Sequence, residues 1–287
     1  RAGRGRKLMP GSVDELIDLL DLEPIEANLF RGQQPDTLLQ RVFGGQVLAQ
    51  AIMAAIRTVS DAYLVHSLHS YFLRPGDTSV PIVYDVDSLR DGRSFATRRV
   101  TARQHGRPIF FMTANFQIPE DGVEHADPMP QVMAPEECPD VIRAAPAAQL
   151  EEWRREWAAV DMRRAGSTVH APGAAHVGRS QWWIKLDGEL PDSAEIQTAA
   201  FTYATDMTLL PAVLVPHGLN LMSPGVQSAS LDHTIWFHRP IRADQWWLYD
   251  QTTPSAQGAR GLALARVFQD GKLCATVAQE GLVRVSR

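Results

Sequence analysis

Cysteine is scarce: the 287-residue chain has two, Cys138 and Cys274, in neither a CxxC nor any metal-ligand spacing. A disulfide framework and a cysteine-built metal centre are thereby excluded, and both residues read as free thiols suited to a reducing compartment. Positive charge is scarce too, with 28 Lys and Arg against 33 Asp and Glu and a net charge of −5. A general nucleic-acid binder needs a basic face, so that class is set aside, and any anionic ligand has to be met by local arginines. No run of about 18 apolar residues is available to cross a bilayer. Residues 1–10 are basic but lack the apolar stretch of a secretory signal, and read as a disordered start or a chain boundary. Val285-Ser286-Arg287 is not a Ser-Lys-Leu-type peroxisomal address, and the expected location is cytoplasmic. GxSxG, HExxH, a Walker lysine loop and a dinucleotide fingerprint are missing as well, which argues against an α/β-hydrolase elbow, a zincin helix and the common nucleotide-binding folds.

What the chain does contain is a copy of itself. Adding 165 to the numbers in residues 72–106 places Phe72 on Phe237, Arg74 on Arg239, Pro75 on Pro240, Tyr84 on Tyr249, Asp85 on Asp250, Gln104 on Gln269 and Gly106 on Gly271, without a gap. Unrelated sequence would give roughly two identities over such a stretch, so two tandem copies of one fold are expected. A length of 287 residues suits two units, each with its own core.

In the first half, Ser12 and Glu15 form a capping box before a short helix with Leu16, Ile17, Leu19 and Leu20 on its apolar face. Residues 25–31 read as a strand. Phe43-Gly44-Gly45-Gln46 opens a helix to Ile56 that is apolar on nearly every side except at Gln50, and a helix of that kind has to be buried. Strands follow at residues 64–73, 82–89, 94–104 and 108–116, joined by short Gly- and Pro-containing turns, which makes them an antiparallel meander. One buried helix wrapped by such a sheet is a hotdog unit. The second half repeats the order, with a strand at 180–186, a helical stretch at 192–215 and strands at 228–239, 246–253, 259–268 and 273–283. The fold class is therefore α+β, a double hotdog with units at residues 12–118 and 178–287. A linker at 119–177 carries one helix, 147–161, whose Trp153 and Trp157 form a packing stripe expected to dock it against the sheets.

Several strings closely resemble the acyl-CoA thioesterase II (TesB-type) family: Arg41-Val-Phe-Gly-Gly-Gln-Val47, His66-Ser-Leu-His-Ser-Tyr-Phe-Leu-Arg-Pro-Gly-Asp77, residues 89–100, Leu231-Asp-His-Thr-Ile-Trp-Phe-His-Arg-Pro240 and Gln279-Glu-Gly-Leu-Val-Arg284. The resemblance runs from about Leu16 to Arg284 and is weakest in the linker. It implies a double hotdog that hydrolyses acyl-CoA to free fatty acid and CoA without a metal or other cofactor, using a water held by an Asp, a Thr and a Gln of the second unit. Carried over by position, the Asp falls on Asp206 and the Gln on Gln279. The Thr falls on Ser230, which keeps the hydroxyl but loses the methyl group that limits its rotamers. By analogy with the fold, a homo-oligomer is expected, with no nucleic-acid or membrane partner.

The residues themselves fit that chemistry. A thioester is a good electrophile, so water needs a base, placement and a group to hold the developing oxyanion. Asp206 inside an apolar helix is costly unless it has work or partners, and a buried amide such as Gln279 needs partners on both its atoms. Gly44-Gly45 at a helix start offers amides to a phosphate or a thioester oxygen, and equally fits a simple close backbone approach. Arg93 and Arg260, after Gly-rich turns, are candidate partners of the CoA phosphates. His66, His69, His233 and His238 read as core or edge residues of paired strands. Ser230 and His233 should face opposite sides of one strand, which argues against a nucleophilic triad. At the 165 offset Asp206 faces Arg41, Ser230 faces Val65 and Gln279 faces Ala114, while Gly44-Gly45 face Leu209-Leu210. One hydrolytic centre per chain is therefore expected, at the junction of the units. Two alternatives remain: a hotdog enoyl-CoA hydratase or dehydratase, which needs an Asp–His pair, and a non-catalytic acyl-CoA-binding protein.

Overall fold

The computed structural model describes residues 10–140, 146–168 and 178–286. Most of the basic start discussed above lies outside them. The first helix, α1 (Val13–Leu20), is capped as expected: Ser12 accepts from the Glu15 amide, and the Glu15 carboxylate accepts from the Gly11 amide at 2.8 Å, one residue beyond the cap. Residues 25–31 form not one strand but a hairpin, β1 (Glu23–Glu26) and β2 (Leu29–Gly32), because Ala27-Asn28 turns the chain between them.

Every residue of α2 (Gly44–Ile56) from Gly45 to Ala55 is buried. Gln50 is tolerated there because its amide is bonded at both ends: Nε2 donates to the Leu19 carbonyl at 2.8 Å and Oε1 accepts from the Tyr84 hydroxyl at 2.7 Å. The meander follows as β3 (Leu64–Phe72), β4 (Ile82–Asp91), β5 (Phe95–Gln104) and β6 (Arg107–Gln117). Beyond the linker helix α3 (Ala147–Glu156) come β7 (Val160–Thr168), β8 (Gly178–Leu186), α4 (Ala194–Thr205), β9 (Val226–Ser230), β10 (Asp232–Phe237), β11 (Trp247–Gln257), β12 (Arg260–Gln269) and β13 (Lys272–Val285). All the strands join one antiparallel sheet in the order β1-β2-β4-β5-β6-β3-β10-β13-β12-β11-β8-β7, with β9 also on β13. The two halves meet where β3 pairs with β10, Ser70 opposite His233 and Leu68 opposite Ile235. The double hotdog is the observed fold, with α2 and α4 packed together against the sheet.

Further expectations need correction. The stretch read as one helix over 192–215 is broken: α4 stops at Thr205, Asp206 is its C-cap, and a 3-10 segment, Leu210–His217, follows. This segment needs bare sheet. A Cβ on Gly178, Gly261 or Gly281 would overlap Pro216, Val213 or Leu210, and Gly261 and Gly281 are register partners. Together α4 and this segment, Ala194–His217, are long and apolar enough to cross a membrane by composition, contrary to the sequence reading, but they form mostly buried core.

Second, the 165 offset maps β4, β5 and β6 onto β11, β12 and β13 but does not extend to the helices, since α2 begins at 44 and α4 at 194. The extra length after α4 is what differs. The pairing of Asp206 with Arg41 and of Gly44-Gly45 with Leu209-Leu210 therefore does not hold. Third, α3 ends at Glu156 instead of 161, and the stretch read as linker supplies the edge strand β7, paired with β8. Fourth, Trp157 turns toward the start of α2, edge-on to Phe43 at 4.8 Å, whereas the linker docks on the sheet through Met129, Val132 and Cys138, packed on Trp183, Leu248 and Phe268. The side chain of Trp153 lies outside the described ones.

The glycines of α2 carry the first testable consequence. Gly45→Ala would drive a methyl group into the Tyr203 carbonyl, where only backbone can yield, and should destabilise the chain by about 1–3 kcal/mol in urea unfolding. Gly122→Ala, which meets nothing within 4 Å, is the control and should change stability by about 0.5 kcal/mol or less.

Candidate active site

The N-terminus of α2 meets the C-terminus of α4 at the junction of the two units, and Asp206 sits between them. Gly44 is tied to the carboxylate by space: a Cβ there would stand 2.6 Å from Asp206 Oδ2 and 3.0 Å from the Phe72 ring. Two helix ends act on the buried acid in opposite senses. The last carbonyls of α4 disfavour its charge, while the first amides of α2 favour it, and Gly45 donates its N–H to the carboxylate. Gln279, fully buried in β13, adds a second bond, Nε2 donating to Asp206 Oδ1 at 2.7 Å. Burial outweighs both bonds and raises the Asp206 pKa to about 6.

Ser230 comes to the same place through register. It lies opposite Gly281 in the β9–β13 ladder, two residues from Gln279 on the same face of β13. Its hydroxyl has no protein partner among the described residues, and neither has the buried Oε1 of Gln279. The structure thus gathers Asp206, Gln279, Ser230, Gly44 and Gly45 around one point. Arg93 and Arg260 are elsewhere: neither lines the cavity described below, and Arg260 is ion-paired with Glu280.

His233 is the neighbour that strand alternation did not anticipate. The chain breaks at Leu231, between β9 and β10, so the parity counted from Ser230 does not carry through, and the ring reaches Asp206. Its tautomer follows from the hydrogen bonds. The Thr205 hydroxyl donates to the Thr202 carbonyl at 2.7 Å, which leaves its oxygen to accept from His233 Nε2–H at 3.0 Å. Nδ1 then carries a lone pair, without a partner, 3.7 Å from Asp206 Oδ1. Burial lowers the His233 pKa to about 3. The pair is therefore a carboxylate beside a neutral ring and not a salt bridge, and a lone pair facing the carboxylate works in the same direction as burial.

A cavity of about 760 Å³ opens onto this cluster. Its walls are largely apolar, including Val47, Phe72, Phe110, Trp157, Met207 and Leu210, and among the described residues Asp206 is the only acid that lines it. A largely apolar cavity with a buried carboxylate of raised pKa in its wall suits an apolar ligand whose reacting group reaches a general base.

Comparison with known proteins agrees. Residues 152–282 match the acyl-CoA thioesterase family model, and residues 34–117 match the acyl-CoA thioesterase N-terminal domain. The chain is 40% identical over 285 residues to acyl-CoA thioesterase 2 of Haemophilus influenzae, covering 97% of this chain and all of that protein. It belongs to the acyl-CoA thioesterase family. Human acyl-coenzyme A thioesterase 8 is 34% identical, with 96% of this chain and 91% of the human protein aligned. Among solved structures, the acyl-CoA thioesterase II TesB2 of Mycobacterium marinum superposes with a TM-score of 0.79 at 42% identity, covering 94% of this chain and 98% of its own. The enzyme is thus a thioester hydrolase acting on acyl-CoA.

The raised pKa sets the pH dependence. With Asp206 as the proposed base, active only when ionised, kcat/KM should rise with pH through an apparent pKa of about 6 and fall tenfold per unit below it. An acid limb near 4 instead, in initial rates taken from pH 4 to 8, would contradict the buried position of Asp206. Gly44→Ala pushes on the carboxylate and not on backbone, so it should lower kcat by roughly ten- to a hundredfold while far-UV circular dichroism stays native.

Proposed function

We propose that the enzyme hydrolyses acyl-CoA by general-base catalysis, with Asp206 as the base and Ser230 and Gln279 as the groups that orient the attacking water. The observation that carries this reading is the buried Asp206 carboxylate in the wall of the apolar cavity, bonded to Gln279 at 2.7 Å and sharing the cavity with the Ser230 hydroxyl. Oδ2, the oxygen next to Gly44, takes a proton from water as the water oxygen bonds to the thioester carbon. Gln279 Nε2 holds Oδ1, so Oε1, unpartnered among the described residues, accepts the water's second hydrogen. Ser230 fixes the water from β9.

The Gly45 N–H is committed to Asp206, while Gly44, the first residue of α2, lines the cavity. In this reading Gly44, at the positive end of α2, polarises the thioester oxygen. Collapse of the tetrahedral intermediate breaks the C–S bond, and the proton held by Asp206 goes to the leaving thiolate. One chain then has one such centre, with the base supplied by the second unit and the amide by the first.

The Asp–His proximity that a hydratase would need is present at 3.7 Å, but His233 is fully buried behind the carboxylate and does not line the cavity. It cannot reach a substrate carbon. The binding-only reading would leave a buried carboxylate with a raised pKa and a free water-orienting amide without work.

Asp206→Asn should lower kcat in a thiol-release assay by roughly 10²–10⁴-fold, and Gln279→Ala or Ser230→Ala by a smaller factor, about tenfold for each lost orienting bond. Native turnover by Asp206→Asn would overturn the mechanism. Stability should move the other way. The folded pKa of Asp206, about 6, exceeds the ordinary 3.8, so the native protein loses stability as pH rises from about 3.8 to about 6, and the loss persists above that. The melting temperature of Asp206→Asn relative to the native chain should therefore increase between pH 4 and pH 7.

A further inference from the structure

We infer that Arg41 and Arg74 form an anion-binding rim that holds the phosphate-bearing end of coenzyme A, an inference that rests on the acyl-CoA reading of the cavity. Both arginines line the cavity and both are exposed at its mouth. Each is held by a backbone carbonyl, Arg41 Nη2 donating to Ser228 at 3.1 Å and Arg74 Nη1 to Pro108 at 2.6 Å. A carbonyl orients a guanidinium without neutralising it.

Neither has a carboxylate partner among the described residues, whereas Arg57, Arg98, Arg179, Arg242, Arg260 and Arg266 are all ion-paired. Two uncompensated cations at the mouth of a cavity whose one acid is Asp206 make the entrance positive in a chain of net charge −5. The positive surface continues outward. A depression of about 330 Å³ shares Arg74, Pro75 and Ile109 with the cavity and adds Arg107, while the acid described in its lining, Asp77, is already bonded to His105 and Ser79.

The substrate has matching polarity. The acyl chain fills the apolar walls, the thioester reaches Asp206, and the anionic end has to leave through the mouth. Guanidinium groups suit phosphate oxygens because two parallel N–H bonds fit one phosphate, and a local positive field offsets the repulsion of a net negative protein.

The test compares the full chain, Arg41→Gln, Arg74→Gln and the double variant on three substrates with the same acyl group: acyl-CoA, acyl-dephospho-CoA and S-acyl-pantetheine. The readout is the ratio of kcat/KM for acyl-CoA to that for acyl-pantetheine, which bears no phosphate. Each substitution should lower that ratio about tenfold, through KM, and weaken its dependence on salt. If acyl-dephospho-CoA behaves like acyl-CoA, the diphosphate is the group held; if it behaves like acyl-pantetheine, the 3′-phosphate is. Both results support the rim. An unchanged ratio in the double variant would overturn it, as would equal losses on all three substrates, since Arg41 also braces the strand that carries Ser230. Failure of the native enzyme to release thiol from any of the three would instead refute the acyl-CoA reading itself, so the two failures are distinguishable.

Discussion

The close approach of two helix ends is the constraint on which the site depends. The start of α2 and the end of α4 touch so tightly that no side chain fits at Gly45 against the Tyr203 carbonyl, and none at Gly44 against the Asp206 carboxylate. That contact does three things at once. It excludes solvent from Asp206, brings an amide to stabilise the charge that burial penalises, and aligns one unit's helix start with the other unit's carboxylate. A looser contact would hydrate the carboxylate and return its pKa toward the ordinary range. A tighter one is blocked by backbone.

The sheet supplies the rest through register, and the second unit differs from the first where register alone is not enough. After α4 the chain does not run straight into the meander. It turns at Asp206 and lays the 3-10 segment Leu210–His217 over Gly178, Gly261 and Gly281, three places where the sheet has no side chains. Leu210 both packs on Gly281 and lines the cavity, so the inserted segment forms a wall beside Asp206. It then returns as β9, which carries Ser230 onto β13 next to Gln279. The linker joins from the other side: buried Glu156 accepts from Thr37 at 2.6 Å and from the Leu38 amide at 3.0 Å, and so pins the loop that brings Leu39 and Gln40 to the cavity.

The fold was legible because its determinants are local and repeated. Alternating apolar runs between Gly-containing turns marked the meanders, and an apolar stretch broken only by Gln50 marked a buried helix. What could not be read was decided by contacts distant in sequence. Nothing near Asp206 says that its helix stops there, since the apolar pattern continues through Leu209, Leu210 and Val213, and only the glycine strip on the sheet explains the turn. The 165 offset was sound for strands, whose spacing a gapless repeat preserves, and failed for helices because an insertion lies between them. His233 was misjudged by the alternation rule because the break at Leu231 resets it. Arg93 and Arg260 follow Gly-rich turns in sequence, but a turn at the far end of a hairpin says nothing about which end of the sheet opens to the cavity. Asp206, Gln279 and Ser230 are singled out by family resemblance; from residue type and spacing alone, each reads as an ordinary polar residue.

Charge placement follows one logic across the site. The chain is net negative and its proposed base is a carboxylate, yet acyl-CoA carries its own negative charge. An exposed carboxylate would repel the phosphates and a screened one would be a weak base, so depth separates the two requirements. Asp206 is buried in the cavity wall, where low dielectric raises its proton affinity and its field is absorbed by the Gly45 amide and Gln279. His233 completes this by remaining neutral: a protonated ring 3.7 Å away would lower the Asp206 pKa and weaken the base, and burial without a counter-charge prevents it. Cations are kept from the carboxylate itself and placed at the mouth, where Arg41 and Arg74 rest on backbone carbonyls. The same arrangement keeps the base strong and leaves the entrance open to an anion.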